Sequence, residues 1–138
     1  MSAKTLNDLQ VELAEDLPIK LTTLQSEAAN NPVLYGKWNR YMADIKREFI
    51  TASNGRKLAM RERLMFYTGR GDDVCMDVYD KTELRVIIPA SEPVLKADGL
   101  VQLIEAKMEF IKGSMEAIKQ RGFAIRASID IRKLEAGE

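Results

Sequence analysis

The stretch I-E-A-K-M-E-F-I-K-G-S-M-E-A-I-K-Q-R-G-F-A-I-R-A-S-I-D-I, residues 104–131, carries the most regular apolar pattern of the 138-residue chain. Steps of four and three alternate along it, as on one face of a helix. This first stripe consists of Ile104, Met108, Ile111, Met115, Ile118, Gly122, Ile125 and Ile129. A second stripe repeats every seven residues and consists of Phe110, Ala117, Ala124 and Ile131. The pattern predicts a long C-terminal helix with two apolar faces.

A helix with two apolar faces needs packing partners on both sides. In a chain of 138 residues we expect some of these partners to come from other copies of the same chain. We therefore predict that residues 100–138 form assembly helices of a homo-oligomer with more than two subunits. For the first stripe, core packing within one chain remains an equally open interpretation.

The remaining sequence predicts a single, mainly α domain with several helix boundaries. Thr5 and Asp8 resemble a capping box, and Leu17-Pro18 is a stop signal. A second short helix is expected to end at Asn30, with Asn31-Pro32 opening a long central helix. Asn54-Gly55 leaves open whether that helix is continuous or is a helical hairpin.

Residues 1–71 are expected to form N-terminal helices, and residues 72–99 are expected to form an acidic, irregular connector. Within this connector, residues 83–89 could form a short strand or one helical turn, and Pro89 and Pro93 keep either element short.

Residues 56–73, here called the basic segment, stand out electrostatically. The formal net charge of the chain is zero, but residues 37–70 contain nine Lys or Arg against three Asp or Glu. Cations interleaved with aromatic rings are typical of single-stranded nucleic-acid surfaces. The candidate DNA-binding residues are Arg56, Lys57, Arg61, Arg63, Tyr67, Arg70 and Lys46. A solvated amphipathic helix is the simplest alternative.

Several classes of chemistry are excluded by composition. The chain has no His and a single Cys, which argues against zinc and haem sites and against His-dependent catalysis. The G-x-x-x-x-G-K-[ST] phosphate loop is absent. We therefore expect a binding and assembly protein, not an enzyme, with no cofactor and no metal. The sequence shows no signal peptide and no apolar run long enough to span a membrane, so an intracellular location is expected.

Short matches in shared order resemble the UvsY-type recombination mediators of T-even bacteriophages over nearly the whole chain. The matching segments are Glu27-Ala28-Ala29-Asn30-Asn31, Leu34-Tyr35, Lys37-Trp38, Arg63-Leu64, Tyr67, Gly69-Arg70-Gly71-Asp72, Ala117-Ile118-Lys119, Arg121-Gly122-Phe123-Ala124-Ile125 and Glu135-Ala136-Gly137. The resemblance implies a homo-oligomer that binds single-stranded DNA. It also implies that the protein helps a RecA-like recombinase replace the single-strand binding protein, in the cytoplasm of an infected bacterial host.

The family's basic Leu-Lys-Ala-Arg-Leu segment corresponds to residues 60–64 here, so the resemblance implies DNA contacts from Arg61 and Arg63. Glu62 departs from that pattern, because it places an anion among the cations, and Asn54-Gly55 departs from helix-compatible residues. The alternative function is a homo-oligomeric scaffold whose basic segment binds an acidic protein partner.

Overall fold

A computed structural model describes residues 3–72 and 75–137, and these residues form helices and connecting turns without a strand. Helix α1 spans Leu6–Asp16, α2 spans Leu24–Tyr67, α3 spans Lys81–Ile87 and α4 spans Glu92–Glu135. A short 3₁₀ turn, Leu21–Thr23, precedes α2. The predicted mainly α fold is confirmed.

The chain packs as two compact units. The first consists of Met1–Ile45 with Ala106–Glu138, and the second is Lys46–Glu105. Each long helix therefore contributes one part to each unit. The assignment of the whole chain to one domain with three segments stays a prediction.

Helix α1 begins and ends where its sequence signals predict. The Thr5 hydroxyl accepts a hydrogen bond from the Asp8 amide at 3.1 Å, and the Asp8 carboxylate accepts one from the Thr5 amide at 3.0 Å. The hydrogen bond from the Thr5 backbone also lowers the pKa of Asp8 below its ordinary value. Leu17 forms the C-cap, directly before Pro18.

The core of the first unit lies between antiparallel parts of α2 and α4. Trp38 is completely buried, and its ring meets the Phe110 ring edge to face with centroids 6.3 Å apart. Seven residues earlier in α2, the Asn31 amide donates to the Ile118 carbonyl at 2.9 Å. Burial of these apolar side chains supplies the main driving force for folding of this unit.

The predicted second short helix ending at Asn30 is wrong, and so is the predicted start of a new helix at Asn31-Pro32. Helix α2 runs through both positions, with Pro32 inside it. Proline removes a backbone donor, which leaves the Ala28 carbonyl without its helical partner. Ala28 and Pro32 are both exposed, so water can solvate that carbonyl. The Asn31 side chain serves a tertiary contact and does not cap a helix.

The question left open at Asn54-Gly55 is resolved in favour of one continuous helix. Both residues lie inside α2, and both are exposed. A glycine inside a helix costs only about 1 kcal/mol relative to alanine, so a long helix can continue through Gly55.

The predicted irregular connector over 72–99 is wrong at two places. Residues 81–87 form α3, and α4 begins at Glu92. Asp80 caps α3, because its carboxylate accepts from the Glu83 amide at 2.8 Å. Of the two alternatives for residues 83–89, the structure has a helix and not a strand.

The first stripe divides into two groups by burial. Ile104, Ile111, Ile118 and Ile125 are buried within their own chain. Met108, Met115, Gly122 and Ile129 are half-buried. This burial favours the core interpretation of the stripe, and a role in assembly stays a prediction. In the second stripe, Ala124 and Ile131 are exposed.

A buried arginine joins three segments of the first unit. Arg121 Nε donates to the Leu17 carbonyl at 3.0 Å, and Nη2 donates to the Pro18 carbonyl at 3.0 Å. Arg121 also donates to the Asn31 side chain at 2.9 Å and forms an ion pair with Glu27. One guanidinium thus fixes the turn after α1 and the first turns of α2 against α4.

We predict that Arg121→Met lowers the free energy of unfolding by about 3 kcal/mol, because breaking a buried ion pair leaves Glu27 and two carbonyls unpaired. Urea unfolding followed by the fluorescence of Trp38, the single tryptophan, measures this change. Arg126→Met, at an exposed position of α4, is the matched control and should shift the midpoint little. Equal effects of the two variants would contradict the prediction.

A second polar network covers the side of the first unit near α1. Lys4 pairs with Glu12, and Lys37 lies 3.5 Å from Glu12 and 2.5 Å from Asp16. Trp38 Nε1 donates to Asp16 at 2.9 Å. Burial is the largest influence on the Glu12 pKa and raises it, but hydrogen bonds from Lys4 and Tyr41 and the nearby lysine charges outweigh burial and lower the pKa below 4.5.

Because the pKa of Glu12 is lower in the folded protein than in the unfolded chain, its contribution to stability is present above pH 4.5 and is lost as the pH falls through the folded pKa. We expect Glu12→Gln to reduce the loss of stability between neutral pH and acid, measured as the urea midpoint by Trp38 fluorescence. Glu15→Gln, at an exposed position of the same helix, is the control. A steeper acid loss in Glu12→Gln than in the parent would contradict this assignment.

Candidate nucleic-acid interface

Three exposed cations of the second unit lie along one side of α2. Lys57 and Arg61 are one helical turn apart and exposed. Lys46 is also exposed, and eleven residues before Lys57 it points to nearly the same side of the helix. None of the three has a hydrogen bond or ion pair with the residues that the structure describes. Their charges are therefore available to an external anion.

The side chain of Arg56 forms an ion pair within the second unit. It follows a different side of α2 from Lys57, is half-buried, and its Nη1 lies 3.0 Å from the Asp98 carboxylate. Arg56 therefore does not belong to the row of exposed cations on α2.

Arg63 is held by aromatic rings. Its guanidinium carbon lies 4.7 Å from the centroid of the Phe66 ring and 5.7 Å from that of Tyr67. Cation–π attraction of this kind fixes the plane of the guanidinium and leaves its charge in place. Arg63 is half-buried, so it is less available to an external anion than Arg61.

Tyr67 is packed more tightly than a free stacking platform would be. Its ring meets the Tyr79 ring edge to face with centroids 5.6 Å apart. Its hydroxyl lies 3.3 Å from Ser91 Oγ. The Ser91 hydroxyl donates to the Ile87 carbonyl at 2.9 Å, so Tyr67 is the donor in the bond to Ser91.

Arg70 lies on the turn that ends α2. Gly69 has φ +76°, and the Arg70 amide bonds the Met65 carbonyl at 2.7 Å, which is a Schellman termination. Arg70 is exposed.

Glu62 lies about 100° around α2 from Arg61 and about 140° from Lys57, and it faces away from Met60 and Leu64. At about 100° per residue it lies roughly 160° around the helix from both Met60 and Leu64. Glu62 is exposed, and it forms no ion pair with a described residue.

A groove of about 370 Å³ opens beside this part of α2, and the sequence analysis missed it. Met60 and Leu64 line it from α2, and α3 with the residues after it provides the other wall: Lys81, Leu84, Arg85, Ile88 and Pro89. Lys81 and Arg85 are exposed, one turn apart, and unpaired within the described parts of the chain. The spacing of Lys81, Leu84, Arg85 and Ile88 was a helical signal, but it spans only two turns within an acidic region.

The described helices include none long and apolar enough to cross a membrane. Residues 3–72 and 75–137 contain no group of three or more metal-binding side chains.

Residues 12–138 match the family described as "Recombination, repair and ssDNA binding protein UvsY", and the chain belongs to this family. The recombination protein uvsY of Enterobacteria phage T4 is 43% identical over 135 residues, covering 96% of this chain and 98% of the relative. A crystal structure of the bacteriophage T4 recombination mediator protein UvsY in lattice type II has a TM-score of 0.89 at 41% identity, covering 96% of this chain and 98% of that chain. The lattice type III structure has a TM-score of 0.80 at 38% identity, with coverage of 96% and 99%.

We predict that Tyr67→Phe lowers the free energy of unfolding of the second unit by about 1 kcal/mol, because it removes the hydrogen bond to buried Ser91. Urea unfolding followed by far-ultraviolet circular dichroism measures it. The matched control, Tyr35→Phe, changes an exposed tyrosine and should leave stability unchanged. A neutral Tyr67→Phe would show that the hydroxyl does not support this packing.

Proposed function

We propose that this protein is a recombination mediator that binds single-stranded DNA through the exposed cations of α2 and the turn after it. The DNA-contacting residues are Lys46, Lys57, Arg61 and Arg70, with Arg63 as a half-buried contributor. The proposal rests mainly on Lys57 and Arg61. Both side chains are exposed, and neither forms a hydrogen bond or an ion pair with a described residue. Membership of a family described as recombination, repair and ssDNA binding supports the choice of ligand.

The proposed role is one of binding and assembly and involves no catalysis. The protein would hold the strand while a RecA-like recombinase replaces the single-strand binding protein, in the cytoplasm of an infected bacterial host. The T4 relative is described as a recombination mediator, which supports this role. No cofactor and no metal is required by it.

We further propose that several copies assemble through the C-terminal part of α4. The buried isoleucines of the first stripe are engaged within their own chain, so the contact with other copies would use the exposed end of the second stripe. Ile131 is 56% exposed there, and Leu134 next to it is 78% exposed. Many weak cation sites on one assembly would bind a strand tightly by avidity.

The salt dependence of binding tests the proposal. Each neutralised phosphate of a single strand contributes a slope of about −0.7 to log K against log salt concentration, so four exposed cations give about −2.8 per engaged subunit. We expect Lys57→Gln/Arg61→Gln to make the slope less steep by about 1.4, because two phosphate contacts are lost. Fluorescence anisotropy of labelled oligo(dT) over a salt series measures it.

Arg56→Gln is the matched control at the adjacent helix position. Since Arg56 pairs with Asp98, its neutralisation should change the slope little. An unchanged slope and affinity in Lys57→Gln/Arg61→Gln, with the solution mass of the assembly unaltered, would reject DNA binding by this face and favour the scaffold that binds an acidic protein.

A further inference from the structure

We propose that the groove between α2 and α3 receives the bases of the single strand, and that Lys81 and Arg85 of α3 form a second phosphate-binding pair. This inference rests on the proposed function and adds a wall to the binding surface that lies outside the basic segment. The ligand is a single-stranded nucleic acid whose bases are unstacked.

The groove has an apolar floor at the place where bases would lie. Met60 is 37% exposed and Leu64 is 44% exposed. Leu84, Ile88 and Pro89 face them across the groove. Its volume of about 370 Å³ lies within the range of roughly 300–1,000 Å³ found for small-ligand sites, so a splayed-out base fits.

Cations border both walls of this floor. Lys57 is seven residues before Leu64, so both lie on the same edge of α2. Arg61 is three residues before Leu64, which is less than one helical turn. Lys81 and Arg85 line the groove from α3. A strand laid along the groove would meet phosphate-binding cations on either side and apolar surface between them, the combination that single-strand binding uses.

The nearby carboxylates keep their charge but form no ion pair with Lys81 or Arg85 among the described residues. The residues that line the groove include no Asp or Glu. Asp80 and Glu83 are engaged in the capping box of α3, where each side chain accepts a hydrogen bond from the other residue's amide. Glu62 lies on the far side of α2, roughly 160° from the groove edge.

The apolar floor favours a single strand over the other polyanions. In a duplex the base faces are stacked on each other and cannot reach such a floor. An acidic protein segment would satisfy the cations, so it remains the competing ligand that the experiment has to separate.

The test uses the full chain and labelled oligo(dT). With this pair added, the slope of the parent protein is expected to be about −4.2 per engaged subunit instead of −2.8, and Lys81→Gln/Arg85→Gln should make it less steep by about 1.4, as for the loss of two phosphate contacts. The control Lys112→Gln/Arg126→Gln removes one Lys and one Arg from exposed positions of the first unit and should leave the slope unchanged. Replacing oligo(dT) by an abasic strand should weaken binding roughly tenfold without changing the slope, because the floor then has no bases to contact.

A second measurement avoids any effect of substitution on folding. In the unmodified protein, oligo(dT) should protect Lys81 from acylation by an amine-reactive reagent, read by mass spectrometry, and should leave Lys112 reactive. Protection of Lys81 by polyglutamate but not by oligo(dT) would overturn the inference in favour of an acidic protein.

The outcomes separate this inference from the proposed function. If Lys57→Gln/Arg61→Gln flattens the slope but Lys81→Gln/Arg85→Gln does not, the groove is rejected and the α2 face stands. Equal affinity for the abasic strand rejects the base-binding floor. If the parent protein does not bind oligo(dT), both proposals fail.

Discussion

The period of the α-helix is the constraint that shapes the second unit. Residues that are adjacent in sequence lie about 100° apart around α2, so one run of cations has to divide between the packed side and the solvent. Arg56 therefore reaches Asp98 and Arg63 lies against Phe66, while Lys57 and Arg61 remain exposed. A basic segment of this composition offers fewer cations to an external anion than its count of cations suggests, because Arg56 and Arg63 have partners within the unit.

The parts of the fold that could be predicted from sequence are those that depend on local signals. The α1 cap, the Leu17-Pro18 stop, the helical class and the termination near Gly69 depend on local signals, and the structure has all of them. The continuity of α2 through Pro32 depends on contacts distant in sequence. Asn31 bonds Ile118 and Arg121, 87 and 90 residues away, and no local rule shows that these contacts offset the cost of an internal proline.

The first stripe shows a second limit of prediction from sequence. Steps of three and four identify an apolar face, but the same spacing describes a face that packs within one chain and a face that packs against another copy. Ile111, Ile118 and Ile125 are buried within their own chain, because α2 runs antiparallel to this part of α4 and packs against it. In this chain the exposed end of the second stripe, and not the more regular first stripe, is therefore the part that we propose for assembly.

The groove beside α2 shows that the charge of a site cannot be predicted from the net charge of its segment. Lys81 and Arg85 belong to a seven-residue helix in the most acidic part of the chain, where net charge alone predicts no polyanion site. The capping box holds Asp80 and Glu83 at the start of α3, and the side chains that line the groove wall include the two cations and no carboxylate. Glu62, placed among arginines in the sequence, lies away from this wall once the helix forms. The electrostatics of the site therefore follow from which side of each helix a charge occupies, and the net charge of a segment is a poor guide to them.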